Sequence, residues 1–168
     1  MVRFAPHEVG NWRVKFMLKD QNGVDSTEWH SFQCTHSIRK GYIRTGTGSY
    51  LRFDNGDPYI GIGHNIAWPN TNPIVDYSKW LGALKDNGGN FLRLWHCHWG
   101  LSLEWRNNGY QGLLQYKQNK AFYLDWLHDY CEQNDLYMMI CLQHHGQVSS
   151  QVNPNWSESP YNTANGGF

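Results

Sequence analysis

From Tyr59 onward the chain alternates short apolar runs with helix-period runs in a fixed order: strand, helix, strand, helix, strand. That order predicts an α/β arrangement, because parallel strands need a crossover long enough to return to the same end of the sheet. The strands are read at 59–63, 90–95 and 136–142. Tyr77, Trp80, Leu81 and Leu84 recur at i, i+3, i+4 and i+7, and Gly88-Gly89 stops that helix. Ala121, Leu124, Leu127 or His128, and Cys131 mark the inner face of a second helix over 119–132. The run Leu136 to Leu142 carries no charge, which predicts a strand buried on both faces.

The preceding stretch reads differently. Trp12, Val14, Phe16 and Leu18 alternate with Arg13, Lys15 and Lys19, the period of a half-buried antiparallel strand over 12–19. Asp20-Gln21-Asn22-Gly23 is a turn signal, and Trp29 to Cys34 reads as the returning strand. An isolated hairpin is marginal in water, so further strands are expected upstream of Met1, and the chain reads as cut at both ends. Three segments follow: 1–45 as the last part of an antiparallel β-sandwich, 46–58 as a linker with a hairpin at Asp54-Asn55-Gly56-Asp57-Pro58, and 59–168 as the α/β part.

Composition narrows the function. The 14 basic and 14 acidic residues cancel, which leaves no electrostatic footprint for nucleic acid or an anionic membrane surface. No apolar run approaches the ~20 residues that span a bilayer. Cys34, Cys97, Cys131 and Cys141 have no CxxC spacing, and the redox compartment stays open. Nine Trp exceed the needs of a small core. Five of them, Trp68, Trp95, Trp99, Trp105 and Trp156, fall at or after strand ends. Parallel α/β folds bind ligands there. His64, Asn65, His96, His98, His144, His145, Tyr161 and Asn162 share those positions. Flat apolar rings interleaved with hydrogen-bonding groups suit a sugar, whose C–H faces stack while its hydroxyls need partners.

Arg93 sits in the apolar run Asn90-Phe91-Leu92-Arg93-Leu94-Trp95, and a buried charge needs a partner. Either a catalytic carboxylate or a local acid could answer it. Adjacent histidines point opposite ways, and of His144 and His145 the inward one is read as His145. Glu104 and Glu158 each read as a catalytic or a loop-ordering carboxylate. His96-Cys97-His98 opens a rival reading, a metal-dependent hydrolase, since a His-x-His pair on a strand can supply two ligands.

Gly61-Ile62-Gly63-His64-Asn65, Asn90 to Trp95 and Gln143-His144-His145-Gly146, in this order, resemble a cellulase-like glycoside hydrolase of clan A. Asn153-Pro154-Asn155-Trp156, Pro160-Tyr161-Asn162 and Asn165-Gly166-Gly167 resemble a bacterial subgroup with an immunoglobulin-like domain ahead of the barrel. The motif from Phe4-Ala5-Pro6 to Gly10-Asn11-Trp12 fits the end of that domain. The resemblance implies the first three βα units of an eight-stranded TIM barrel behind the last strands of an immunoglobulin-like β-sandwich. It implies a retaining glycosidase acting on β-linked poly- or oligosaccharide, without cofactor or metal, secreted or periplasmic. Arg93 and His145 take supporting roles beside the catalytic pair. Asn65, Trp68, Trp95, Trp99, Glu104, Trp105, His144, Trp156, Tyr161 and Asn162 are the expected substrate contacts. The acid/base and nucleophile glutamates of that family have no counterpart in the chain, which leaves a non-catalytic carbohydrate-binding protein as the alternative.

Overall fold

The structure, a computed structural model, describes residues 4, 6, 8–105 and 112–168. Ala5 of the N-terminal motif lies outside the described residues. The chain divides into two compact units, Met1–Tyr59 and Ile60–Phe168.

The first unit is built from short antiparallel ribbons. Strands β1 (Gly10–Val14), β2 (Met17–Asp20), β3 (Gly23–Ser26) and β4 (His30–Cys34) form two separate pairs, β1 with β4 and β2 with β3. The β2–β3 turn is set by Asp20, whose Oδ1 accepts from Asn22 N at 2.7 Å and Gly23 N at 3.1 Å. A third sheet joins β5 (Ile43–Thr45), β6 (Leu51–Phe53) and β7 (Pro58–Tyr59). The expected Asp54–Pro58 hairpin is its β6–β7 turn, with Phe53 N donating to Asp57 O at 2.8 Å. Phe53 and Tyr59 meet edge to face at 5.3 Å and are buried.

The second unit runs β8 (Gly63–Asn65), α1 (Pro73–Asp86), β9 (Phe91–Trp95), α2 (Gln118–Gln133) and β10 (Tyr137–Cys141), followed by short 3₁₀ turns. The strands are parallel in the order β10-β9-β8. Asn72 caps α1 through Val75 N at 3.3 Å, with Pro73 at its first position. Gly88, at φ 79, ends α1 as Gly88 N and Gly89 N return to Lys85 O and Leu84 O, each at 2.9 Å. The helix-to-strand connections, 87–90 and 134–136, are short and closely bonded. Lys85 Nζ on one side donates to Asn134 Oδ1 on the other at 2.9 Å. Tyr77, Leu81 and Leu84 of α1 and Leu124, Leu127 and Cys131 of α2 pack on Leu92 and Leu94 of β9. Both helices therefore cover one face of the sheet. Phe91, Arg93 and Trp95, in the alternate register, line the other.

Several expectations are overturned. The chain is neither the front of a TIM barrel nor the end of an immunoglobulin-like sandwich. Among the described residues ten short strands lie in four small sheets, and the parallel one stays open at β8 and β10. A barrel needs a sheet that closes on itself. The strand expected over 12–19 breaks between β1 and β2, and Phe16 and Leu18 are exposed where a sandwich would bury them. The strand expected at 59–63 is shifted: Tyr59 ends β7, and β8 begins only at Gly63. Finally, β10 is not buried on both faces, since the helices cover one side and leave Met139 exposed.

Candidate functional site

The loops that leave the carboxyl ends of β8, β9 and β10 bring seven rings together. Trp68, after β8, lies 5.7 Å from Trp95 and 5.5 Å from Trp99, centroid to centroid. His98 meets Trp99 edge-on at 4.7 Å and lies flat on Trp105, at 4.5 Å and 12°. His144, after β10, packs 4.7 Å from Trp99 and 5.7 Å from His98. His145 stands edge-on to Trp95 at 6.1 Å. The rings form two layers: Trp68 and Trp99 are 40% and 43% exposed, whereas Trp105 and His144 are each 3% exposed. The outer pair can meet a ligand, and the inner pair sets where the outer pair stands.

Local backbone explains the convergence. The segment after β9 folds back at once, with Gly100 N and Ser102 N both donating to Cys97 O, at 2.9 and 3.2 Å. That turn carries Trp99 back over Trp68. The segment after β10 closes on itself, since Asn155 N donates to Gly146 O at 2.8 Å. His144 Nε2 donates to Asn155 Oδ1 at 3.0 Å, and His145 Nε2 accepts from Asn153 Nδ2 at 2.8 Å. The inward histidine is therefore His144, and His145 is exposed, the reverse of the expectation. Asn153 and Asn155, noted in the sequence only within the motif Asn153-Pro154-Asn155-Trp156, are the partners of the histidine pair that the sequence did not assign.

Arg93 is also placed differently. Because helices cover only one face of the sheet, its side chain is partly exposed rather than sealed in. Its Nε donates to Cys141 Sγ at 3.1 Å, and its guanidinium lies 5.4 Å from the Trp95 ring centre. Among the described residues no carboxylate pairs with it. Arg93 and His145 thus both lie against Trp95.

Glu104 proves to be a clamp. Its Oε2 accepts from the Tyr161 hydroxyl at 2.5 Å and its Oε1 from Leu114 N at 2.8 Å. Burial first, and the Glu104 carboxylate second, hold the Tyr161 proton well beyond the ordinary phenol range. Asn162 caps the last 3₁₀ turn through Ala164 N at 3.0 Å and donates to Trp156 O at 2.9 Å. Trp156 stands outside the ring cluster, on the turn Trp156–Glu158. Asn65 and His64 instead line a mostly apolar cavity of about 980 Å³ beside the cluster, shared with Trp68, Trp80 and Trp95.

Buried ring nitrogens mark the inner layer. Nδ1 of His98, Nδ1 of His144, Nε2 of His96 and Nε1 of Trp95 are enclosed and make no hydrogen bond among the described residues. Burial lowers the pKa of His96, with His128 adding to the effect, and burial likewise lowers that of His98, with His144 adding. The two side chains of the His-x-His pair thus face different neighbours. Among the described residues no group of three or more His, Cys, Asp or Glu is placed to hold a metal ion. No helix among them is long and apolar enough to cross a membrane.

Comparison of the chain with models of protein families, with curated proteins and with solved structures finds no match.

Proposed function

We propose that the ring cluster is a saccharide-binding face, the substrate-holding part of a glycoside hydrolase of the retaining type that acts on β-linked poly- or oligosaccharide. One observation carries the reading: Trp68 and Trp99 present exposed rings, 5.5 Å apart at 81°, over an inner layer of buried Trp105 and His144 and half-buried His98. Two such faces held at an angle can stack on a sugar ring and its neighbour, while Asn65 and His145 offer donors and acceptors at the rim. Arg93 and His145, both against Trp95, are placed to orient a reacting carboxylate or the sugar itself.

A retaining mechanism needs two carboxyl groups about 5–5.5 Å apart. Glu104 is committed to Tyr161 and Leu114. In this reading the acid/base and the nucleophile come from outside the chain, which by itself binds without hydrolysing.

The test is titration of the chain with β-linked hexose oligosaccharides, followed by Trp fluorescence and calorimetry, with reducing-sugar release as a second readout. Trp68→Ala and Trp99→Ala should each weaken binding about tenfold, the worth of one lost stacking contact. Failure of every oligosaccharide to bind, or wild-type affinity in both variants, would sink the proposal. Hydrolysis by the isolated chain would contradict the role given to Glu104.

A further inference from the structure

The outer rings of the cluster rest on a half-buried histidine with one enclosed ring nitrogen that has no partner among the described residues. We propose that His98 is a positioning residue for the ring wall, and that its protonation disperses the wall. As a means of controlling ligand uptake this rests on the saccharide reading above; as a property of the rings it does not.

The geometry comes first. His98 lies flat on buried Trp105 at 4.5 Å and 12°. Its edge meets Trp99 at 4.7 Å, and Trp99 in turn reaches Trp68 at 5.5 Å and His144 at 4.7 Å. Moving His98 therefore moves the exposed Trp99. Its Nδ1 is enclosed without a partner among the described residues, and so is that of His144, whose ring lies 5.7 Å away. A neutral imidazole tolerates a buried lone pair there. An imidazolium would bury a charged N–H with nothing to receive it.

Neighbouring charges do not reverse this. From the segment leading into α2, Lys117 opposes a proton on His98; from the segment after β10, His144 does the same. From the turn Trp156–Glu158, Glu158 favours it, and so would the face of Trp105. Burial is the largest influence, and the net direction is down. The sign follows. A histidine held below its ordinary value of about 6.5 takes up its proton in the dispersed state first. The closed wall is thus fully favoured above that pH, and the preference is lost as pH falls through and below it.

The experiment uses the full chain without saccharide, titrated from about pH 7.5 to about pH 4.5. Trp fluorescence reports the wall, and ¹⁵N resonances of the imidazoles report which histidine takes the proton. The expected result is a Trp transition below about pH 6.5 that coincides with His98 titration. His98→Phe keeps a flat ring on Trp105 and cannot be protonated, so its transition should vanish. Glu158→Gln removes the carboxylate that favours the charged form within the closed wall, so protonation becomes more disruptive and its midpoint should move to higher pH. A wild-type wall that stays unchanged while His98 titrates would overturn the proposal. So would a His98→Phe transition with the wild-type midpoint; should that variant not fold, an unmoved Glu158→Gln midpoint decides equally.

With a β-linked oligosaccharide present, one linked proton weakens binding by up to about tenfold per pH unit below the midpoint. A ring transition with no saccharide bound at any pH would remove the saccharide reading and uphold the role of His98. Saccharide binding that is equally tight across the transition would overturn the control of ligand uptake by His98.

Discussion

Tyr161→Phe isolates the contact that ties the far end of the chain to the segment after β9. The bond it removes, Tyr161 hydroxyl to Glu104 Oε2 at 2.5 Å, has a charged acceptor and joins positions 57 residues apart. Hydrogen bonds to charged groups contribute about 1.5–3 kcal/mol. Two features place this one low in that range: both partners are only partly buried, and Glu104 keeps Leu114 N at 2.8 Å when the hydroxyl goes. Tyr161→Phe should therefore cost about 1.5–2 kcal/mol. The assay is a double-mutant cycle with Glu104→Gln, read by urea unfolding at neutral pH. The interaction energy between the two positions should be about 1–2 kcal/mol. Additivity within about 0.3 kcal/mol would refute the reasoning, because it would mean that the hydroxyl and the carboxylate stabilise the fold independently.

Three other outcomes are expected. Gly63→Ala should destabilise by about 3 kcal/mol or more in urea unfolding, since a Cβ there would fall 1.7 Å from Phe91 O, and β9 backbone cannot give way; an ordinary melt for this variant would contradict the β8–β9 register. Alkylation at neutral pH should reach Cys34 and Cys141 well before Cys97 and Cys131, because burial pushes the latter thiols up to about 11 and about 12; mass spectrometry of a time course checks it. Burial raises the pKa of both Tyr77 and Tyr161, so the folded chain keeps protons that the unfolded chain releases above about pH 10. Stability should hold below that pH and fall steeply above it, as an alkaline denaturation series would show.

Local pattern was legible where one element's own residues decide it. The α1 stripe of Tyr77, Trp80, Leu81 and Leu84 and its Gly88-Gly89 stop are found where the periodicity puts them, and β9 and β10 fall within a residue or so of expectation. What a strand faces was not legible, because that depends on elements far away in sequence. Alternation at Phe16 and Leu18 promised a buried face, yet both side chains are exposed. An apolar run around Arg93 promised enclosure, yet helices cover only the Leu92 and Leu94 side. The tryptophan and histidine cluster could be anticipated, because parallel strands deliver their following loops to one end. The choice of His144 over His145 as the inner ring could not, since it turns on Asn155 and Asn153 folding back from beyond the next turn.

The close bonding of the two helix-to-strand connections has a consequence for how this unit could change over evolutionary time. At that end, residues 87–90 and 134–136 are joined by Lys85 and Asn134 and leave little slack. Substitutions there are felt by both helices and by the sheet at once, so drift should be slow. The strand-to-helix segments carry the opposite burden: they are longer, and apart from Trp95 at the end of β9 their ring contacts are made among themselves. If the proposed saccharide reading holds, insertions after β9 or β10 can rewrite which sugar is favoured while the layer of Leu81, Leu92, Leu94 and Leu127 beneath keeps its packing. The molecule thus separates the residues that selection for folding holds constant from those that selection for specificity can spend.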